Sequence, residues 1–145
     1  MLDASQNSVL KTIFDDYFNK VVSLYWKTHS AHWNVISADF YSLHKLLEEQ
    51  YNSLWSSLDE IAEHMRSLGL AAPNRLNSVE ALPFGTDRNA IINDLIKDQD
   101  EVIQGLRLAI RQVDASDDIS GADFLTQQLA MHEKTAWMLK ASLVS

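Results

Sequence analysis

The 145-residue sequence has no cysteine, only 4 glycines and 2 prolines, and 12 basic residues against 20 acidic ones. Without thiols there is no disulfide framework, thiolate zinc site or cysteine nucleophile, so any metal must be held by imidazole and carboxylate. A formal charge of -8 opposes non-specific binding to a phosphate backbone and favours the attraction of cations. No apolar run approaches the roughly 20 residues that cross a bilayer. The opening MLDASQNSVLKT has neither a signal peptide's apolar core nor a transit peptide's basic character. No membrane association is expected, and the expected location is the cytoplasm.

With so few breakers and 46% hydrophobic residues, the chain can bury a sizeable core and reads as one all-α domain over residues 1–145. Apolar residues recur every three to four positions in four long stretches. The first helix, about residues 5 to 34, carries Leu10, Ile13, Phe14, Tyr17, Val21, Leu24 and Tyr25 on one stripe, with Ser5 as its cap. The second runs from about Asp39 to Leu68. Gly69, Pro73, Pro83 and Gly85 then mark a connection of about 18 residues, with room for a short helix around Val79 to Leu82. A third helix starts near Thr86 or Asp87 and carries Ile91 to Val113, and a fourth carries Leu125 to Leu143.

Short turns make the first and second helices antiparallel, and likewise the third and fourth. The long connection can span some 60 Å and return along a whole helix. One long crossover is the topology of a ferritin-like four-helix bundle.

The residues richest in chemistry surround the second helix: His32 just before it, then His44, Glu48, Asp59 and Glu63 along it. At about 100° per residue from His44, Glu48 falls near 40°, Asp59 near 60° and Glu63 near 100°, one narrow polar stripe. The apolar side, from Leu43 to Met65, centres roughly 70° to the other side of His44, so the stripe flanks the core. In-bundle di-iron sites use Glu-x-x-His pairs. No histidine here has Glu three residues earlier, so an in-bundle centre is disfavoured.

His44 and Asp59 are also roughly 22 Å apart along the helix axis and cannot share a metal within one chain. If two second helices pack antiparallel about a two-fold axis, the His32, His44 and Glu48 end of one subunit meets the Asp59 and Glu63 end of its mate. Two imidazoles with several carboxylates suit iron, with zinc, manganese and cobalt as competitors. Any one of these carboxylates taken alone is ordinarily part of a solvated helix face; the joint spacing is what stands out.

Residues 32–48, HWNVISADFYSLHKLLE, resemble the signature of the Dps family, in which His-Trp-x-Val precedes Leu-His by a fixed interval and an acidic residue follows four later. LDEIAEHMRSLGLAAP at 58–73 resembles the second signature, and with HEKTAWML at 132–139 the resemblance spans essentially the whole chain. It implies His32, His44 and Glu48 as iron ligands from one subunit, Asp59 and Glu63 from the two-fold mate, and Trp33 beside the centre. It also implies a hollow dodecamer that binds Fe(II), oxidises it with hydrogen peroxide in preference to oxygen, stores ferric mineral and so limits oxidative damage.

Three positions depart from the family pattern: Glu48 where Asp is usual, Ser37 where Gly is usual, and His64 where Arg commonly follows the last carboxylate. The family's DNA binding commonly uses a lysine-rich terminal tail. The first ten residues here hold no Lys or Arg, so weak or absent DNA binding is expected. Asp114, Asp117, Asp118 and Asp123 cluster at the turn into the fourth helix, where such residues ordinarily cap helices. In the resembling cages acidic residues here line three-fold pores, which makes Asp118 and Asp123 the pore candidates. Trp55 and Trp137, at helical spacing, are expected to pack rather than react.

Alternatives to the iron-oxidising cage are a metal-binding cage with impaired ferroxidase activity, a DNA-compacting structural protein, and an ordinary helical bundle acting through protein contacts.

Overall fold

The computed structural model describes residues 2–76 and 85–143. Four helices carry them: α1 (Ala4–Asn34), α2 (Phe40–Ser67), α3 (Arg88–Ala115) and α4 (Ile119–Ala141). The short helix expected around Val79 to Leu82 lies outside the described residues. Helix α1 packs along α2 and α3 along α4, while α1 also contacts α3 and α2 more lightly contacts α4. Around the bundle the order is therefore α1, α2, α4, α3, with α1 and α4 on one diagonal. The expected four-helix bundle with a long connection between α2 and α3 is what the chain forms.

The inward stripe of α2 is Leu43, Leu47, Gln50, Leu54, Ser57, Ile61 and Met65, alternating steps of four and three residues over most of its length. Such spacing keeps one face toward the neighbouring helices. The other helices bury similar stripes, and together they make two apolar clusters. One is built around Leu10, Phe14, Leu54, Ile61, Leu106 and Leu125, the other around Ala31, Leu43, Leu47, Ile91, Leu95 and Leu139. Between these clusters in sequence, each stripe turns polar, at Thr28, Gln50, Gln99 and His132, all buried.

The helix ends follow local rules, with one correction. Asp3, not Ser5, caps α1: its carboxylate accepts from the Gln6 N–H while Gln6 Oε1 accepts from the Asp3 N–H, a reciprocal capping box. Ser5 lies inside the helix it was expected to start. Helix α2 stops at Gly69, whose φ of 81° lets the Leu70 N–H reach back to the Met65 carbonyl at 2.9 Å. Asp117 takes the same left-handed role after α3, at φ 63°, and Asp118 at once caps α4.

Trp55 and Trp137 depart from expectation: they are 60% and 63% exposed. Trp55 follows the inward-facing Leu54 and Trp137 follows the buried Ala136, so each is turned about 100° off its helix's core stripe.

Candidate metal centre

The turn between α1 and α2, residues 35–39, fixes how the two histidine-bearing helix ends meet. The Ile36 N–H donates to the Thr86 carbonyl at 3.1 Å, and Arg88 grips the Asp39 carboxylate through Nε at 2.9 Å and Nη2 at 2.6 Å. The Arg88 bonds, with one from Ser37, hold the Asp39 carboxyl well below the usual carboxylate range. The start of α3 is thereby tied to the tip of the α1–α2 hairpin. Ser37 fits this turn without a left-handed backbone.

Across that hairpin His32, in the last turn of α1, stacks on His44, in the second turn of α2, with ring centroids 3.6 Å apart and planes 12° from parallel. His32 Nδ1 lies 2.7 Å from the His44 carbonyl oxygen, and His44 Nδ1 lies 2.7 Å from the His32 carbonyl oxygen. A carbonyl can only accept, so each Nδ1 carries the hydrogen and donates it. Each Nε2 is then left with its lone pair, the form in which imidazole binds metal. Phe40 stacks on His44 at 4.8 Å and the edge of Tyr51 meets His32 at 5.1 Å. His32 is 5% exposed and His44 half-buried.

Glu48 stands one turn beyond His44, half-exposed, with Lys45 Nζ 3.5 Å from Oε2. Far down the helix, Asp59 and Glu63 are exposed and adjoin one another. A hydrogen bond from Asp59, then the charges of Asp59 and Glu60, raises the Glu63 carboxyl above its ordinary value. Carboxylates crowded in this way favour a shared proton or a bound cation. Among the described residues no three His, Asp or Glu side chains converge as a metal site. The chain thus carries two partial donor sets, imidazoles with Glu48 and a carboxylate pair, separated along α2 by roughly 22 Å. Nitrogen and carboxylate donors of this kind suit iron.

Other expected residues fall as follows. Trp33 is exposed and lies against His29, centroids 3.9 Å apart, with Trp26 edge-on at 6.1 Å. His64, next to Glu63 in sequence, is engaged elsewhere: Nε2 lies 2.9 Å from Asp118 Oδ2, and the ring packs on Phe14 and Phe124. Asp118 is 4% exposed, with Oδ1 accepting from the Gly121 N–H at 3.0 Å. Both its oxygens are therefore committed within the subunit, and Asp123, exposed on α4, keeps the accessible carboxylate of the two pore candidates.

Sequence reasoning passed over His29. It stacks on Tyr51 at 3.8 Å, and its Nδ1 lies 2.9 Å from the Tyr25 hydroxyl. Burial, then the neighbouring His32, lowers its basicity. The signal was available, since Tyr25, His29 and Trp33 recur every fourth residue and share one helix face.

No helix among the described residues is long and apolar enough to cross a membrane. Residues 14–145 match the ferritin-like domain family. A DNA protection during starvation protein of Brevibacillus brevis is 33% identical over 128 residues, covering 84% of this chain and 86% of that protein. An uncharacterised low temperature-induced protein of Nostoc sp. is 31% identical over 152 residues, covering 97% of this chain and 83% of its own. The crystal structure of a Dps protein from Bacillus brevis superposes with a TM-score of 0.87 at 29% identity, covering 97% of this chain and 98% of that one. Bundle topology, matched length and these likenesses agree, and the chain belongs to the Dps family of ferritin-like proteins.

Proposed function

We propose that this protein binds Fe(II) between two subunits, oxidises it with hydrogen peroxide and stores the ferric product inside a homo-oligomeric cage, a dodecamer by analogy with the family, in the cytoplasm. The observation that carries this reading is the reciprocal lock of His32 and His44, which leaves two Nε2 lone pairs facing no protein partner, at one end of α2. The Asp59 and Glu63 carboxylates wait at the other end. An antiparallel two-fold pairing of α2 helices closes both gaps at once, twice per dimer.

The ring geometry adds to this. An imidazole lone pair lies in its ring plane, and one ion cannot lie in two nearly parallel planes 3.6 Å apart. The two imidazoles therefore address two neighbouring ions, as in two-metal sites with ions about 3.5–4 Å apart. Two Fe(II) supply the two electrons that reduce one hydrogen peroxide to water, with two protons consumed and no hydroxyl radical released. Trp33 borders the centre without a donor atom suited to the metal. Oxygen is the slower alternative oxidant. With a charge of -8 and no basic amino-terminal tail, DNA binding is weak or absent.

A second reading has one observation behind it. Glu48 is held near Lys45, and its longer arm alters the spacing of the ions it reaches. A cage that binds metal but oxidises it poorly would follow.

The test is to load the purified cage anaerobically with Fe(II), add hydrogen peroxide and follow ferric absorbance. Wild type is compared with His44→Ala and Asp59→Ala at unchanged assembly size. Rapid oxidation in wild type and near-solution rates in both variants are expected. Tight binding without acceleration in wild type would favour the impaired cage, and neither binding nor acceleration would end the iron reading.

A further inference from the structure

Tyr17 and His132 are buried titratable groups for which iron binding at the interface has no use. They stand on diagonal helices, α1 and α4, and meet in the core, where His132 has no exposed surface. The Tyr17 hydroxyl lies 2.8 Å from His132 Nε2 and 2.9 Å from the Gln128 side chain, and His132 Nδ1 lies 2.7 Å from Gln99 Oε1. Burial pushes His132 down to about 4, so the ring is neutral at pH 7, and burial keeps the Tyr17 phenol protonated.

A neutral imidazole that donates from Nδ1 to Gln99 Oε1 has its lone pair on Nε2. The hydrogen in the 2.8 Å gap is then the phenol's, and Gln128 presents its amide N–H to the phenol oxygen. The phenol thus sits in contact with a ready proton acceptor.

The pair is also near the carboxylate end of the interface site. The register that stacks His32 on His44 and brings Tyr25 against Tyr51 sets residue 17 level with Asp59. Phe18 lines the same surface groove as Asp59 and Glu60, and the Glu60 charge acts on the Tyr17 phenol.

We propose that Tyr17 and His132 form a buried one-electron donor to the interface site, used when a lone Fe(II) meets hydrogen peroxide. This rests on the ferroxidase reading. One Fe(II) gives one electron, which breaks the O–O bond into hydroxide and hydroxyl radical. Tyr17 gives the missing electron and the radical becomes a second hydroxide. The phenolic O–H bond breaks, and its proton forms the N–H bond on His132 Nε2. The products are a neutral phenoxyl and an imidazolium that donates to Gln99 Oε1 and to the phenoxyl oxygen, with no heavy atom displaced.

Tyr25 and His29 make a second such contact, at 2.9 Å, but the His29 ring touches His32, centroids 5.8 Å apart. A proton arriving there would place positive charge beside an iron ligand, whereas the Tyr17 pair develops its charge near the anionic Glu60.

The test is freeze-quench electron paramagnetic resonance on intact cages given less than one Fe(II) per site and then hydrogen peroxide. A tyrosyl signal is expected in wild type, narrowed by ring-deuterated tyrosine, lost in Tyr17→Phe and kept in Tyr25→Phe. A signal that survives Tyr17→Phe, or resides on tryptophan, overturns the proposal. Pulse radiolysis of metal-free cages with the azide radical separates this from the ferroxidase reading. Phenoxyl formation that depends on Tyr17 supports the donor even where iron oxidation fails, and formation only elsewhere overturns it.

Discussion

His132 makes stability depend on pH in a definite direction. In the unfolded chain its imidazole has an ordinary value near 6.5, while in the folded bundle burial lowers it to about 4. Between those values the unfolded chain binds more protons, so stability is full above 6.5 and is lost as pH falls toward 4. Between pH 7 and pH 5 wild type should lose about 2 kcal/mol more than His132→Leu, read by urea denaturation. Equal losses would show that the folded ring accepts its proton normally. Gln50 acts on stability differently. It is buried on the α2 stripe, and neither polar atom of its side chain has a hydrogen-bond partner among the described residues. An unsatisfied buried amide costs about 1–3 kcal/mol, so Gln50→Leu should raise the denaturation midpoint by an amount in that range. A lower midpoint would mean the amide is satisfied in solution.

Between elements, the closest fit is where α2 meets the start of α4. A Cβ on Gly121 would stand 1.9 Å from Asp118 Oδ2 and 2.8 Å from His64 Nε2. Gly121→Ala must therefore break the cap or the His64 contact, and a loss of about 1–3 kcal/mol is expected in thermal or urea melts. A neutral result would show that this corner relaxes freely. That corner also illustrates what the sequence could convey. Helix positions and the long crossover were legible because each stripe repeats locally, every three or four residues, over many turns. The pairing of His64 with Asp118 joins residues 54 positions apart, and no local pattern encodes it. The same holds at the site: helical spacing placed His44, Glu48, Asp59 and Glu63 on one stripe. The crossed Nδ1 bonds of His32 and His44 depend on how the 35–39 turn sets two helices in register. Asp3 was passed over as a cap because its partner Gln6 signals only as a pair.

At the scale of the whole molecule, the single subunit is visibly incomplete. All four tryptophans, Trp26, Trp33, Trp55 and Trp137, are exposed, and so are Ile36, Tyr41 and Leu108. Apolar surface of this extent belongs to a subunit that associates. The donor sets repeat the point, since neither end of α2 completes a metal site alone. The most direct measurement is to mix unfolded His44→Ala and Asp59→Ala subunits, refold them together and measure peroxide-driven Fe(II) oxidation. In a mixed dimer one site lacks both residues while the other is intact, so random pairing should restore about one quarter of wild-type sites although each variant alone is inactive. Mixed cages, verified by mass, that stay as inactive as their parents would contradict a centre shared between two subunits.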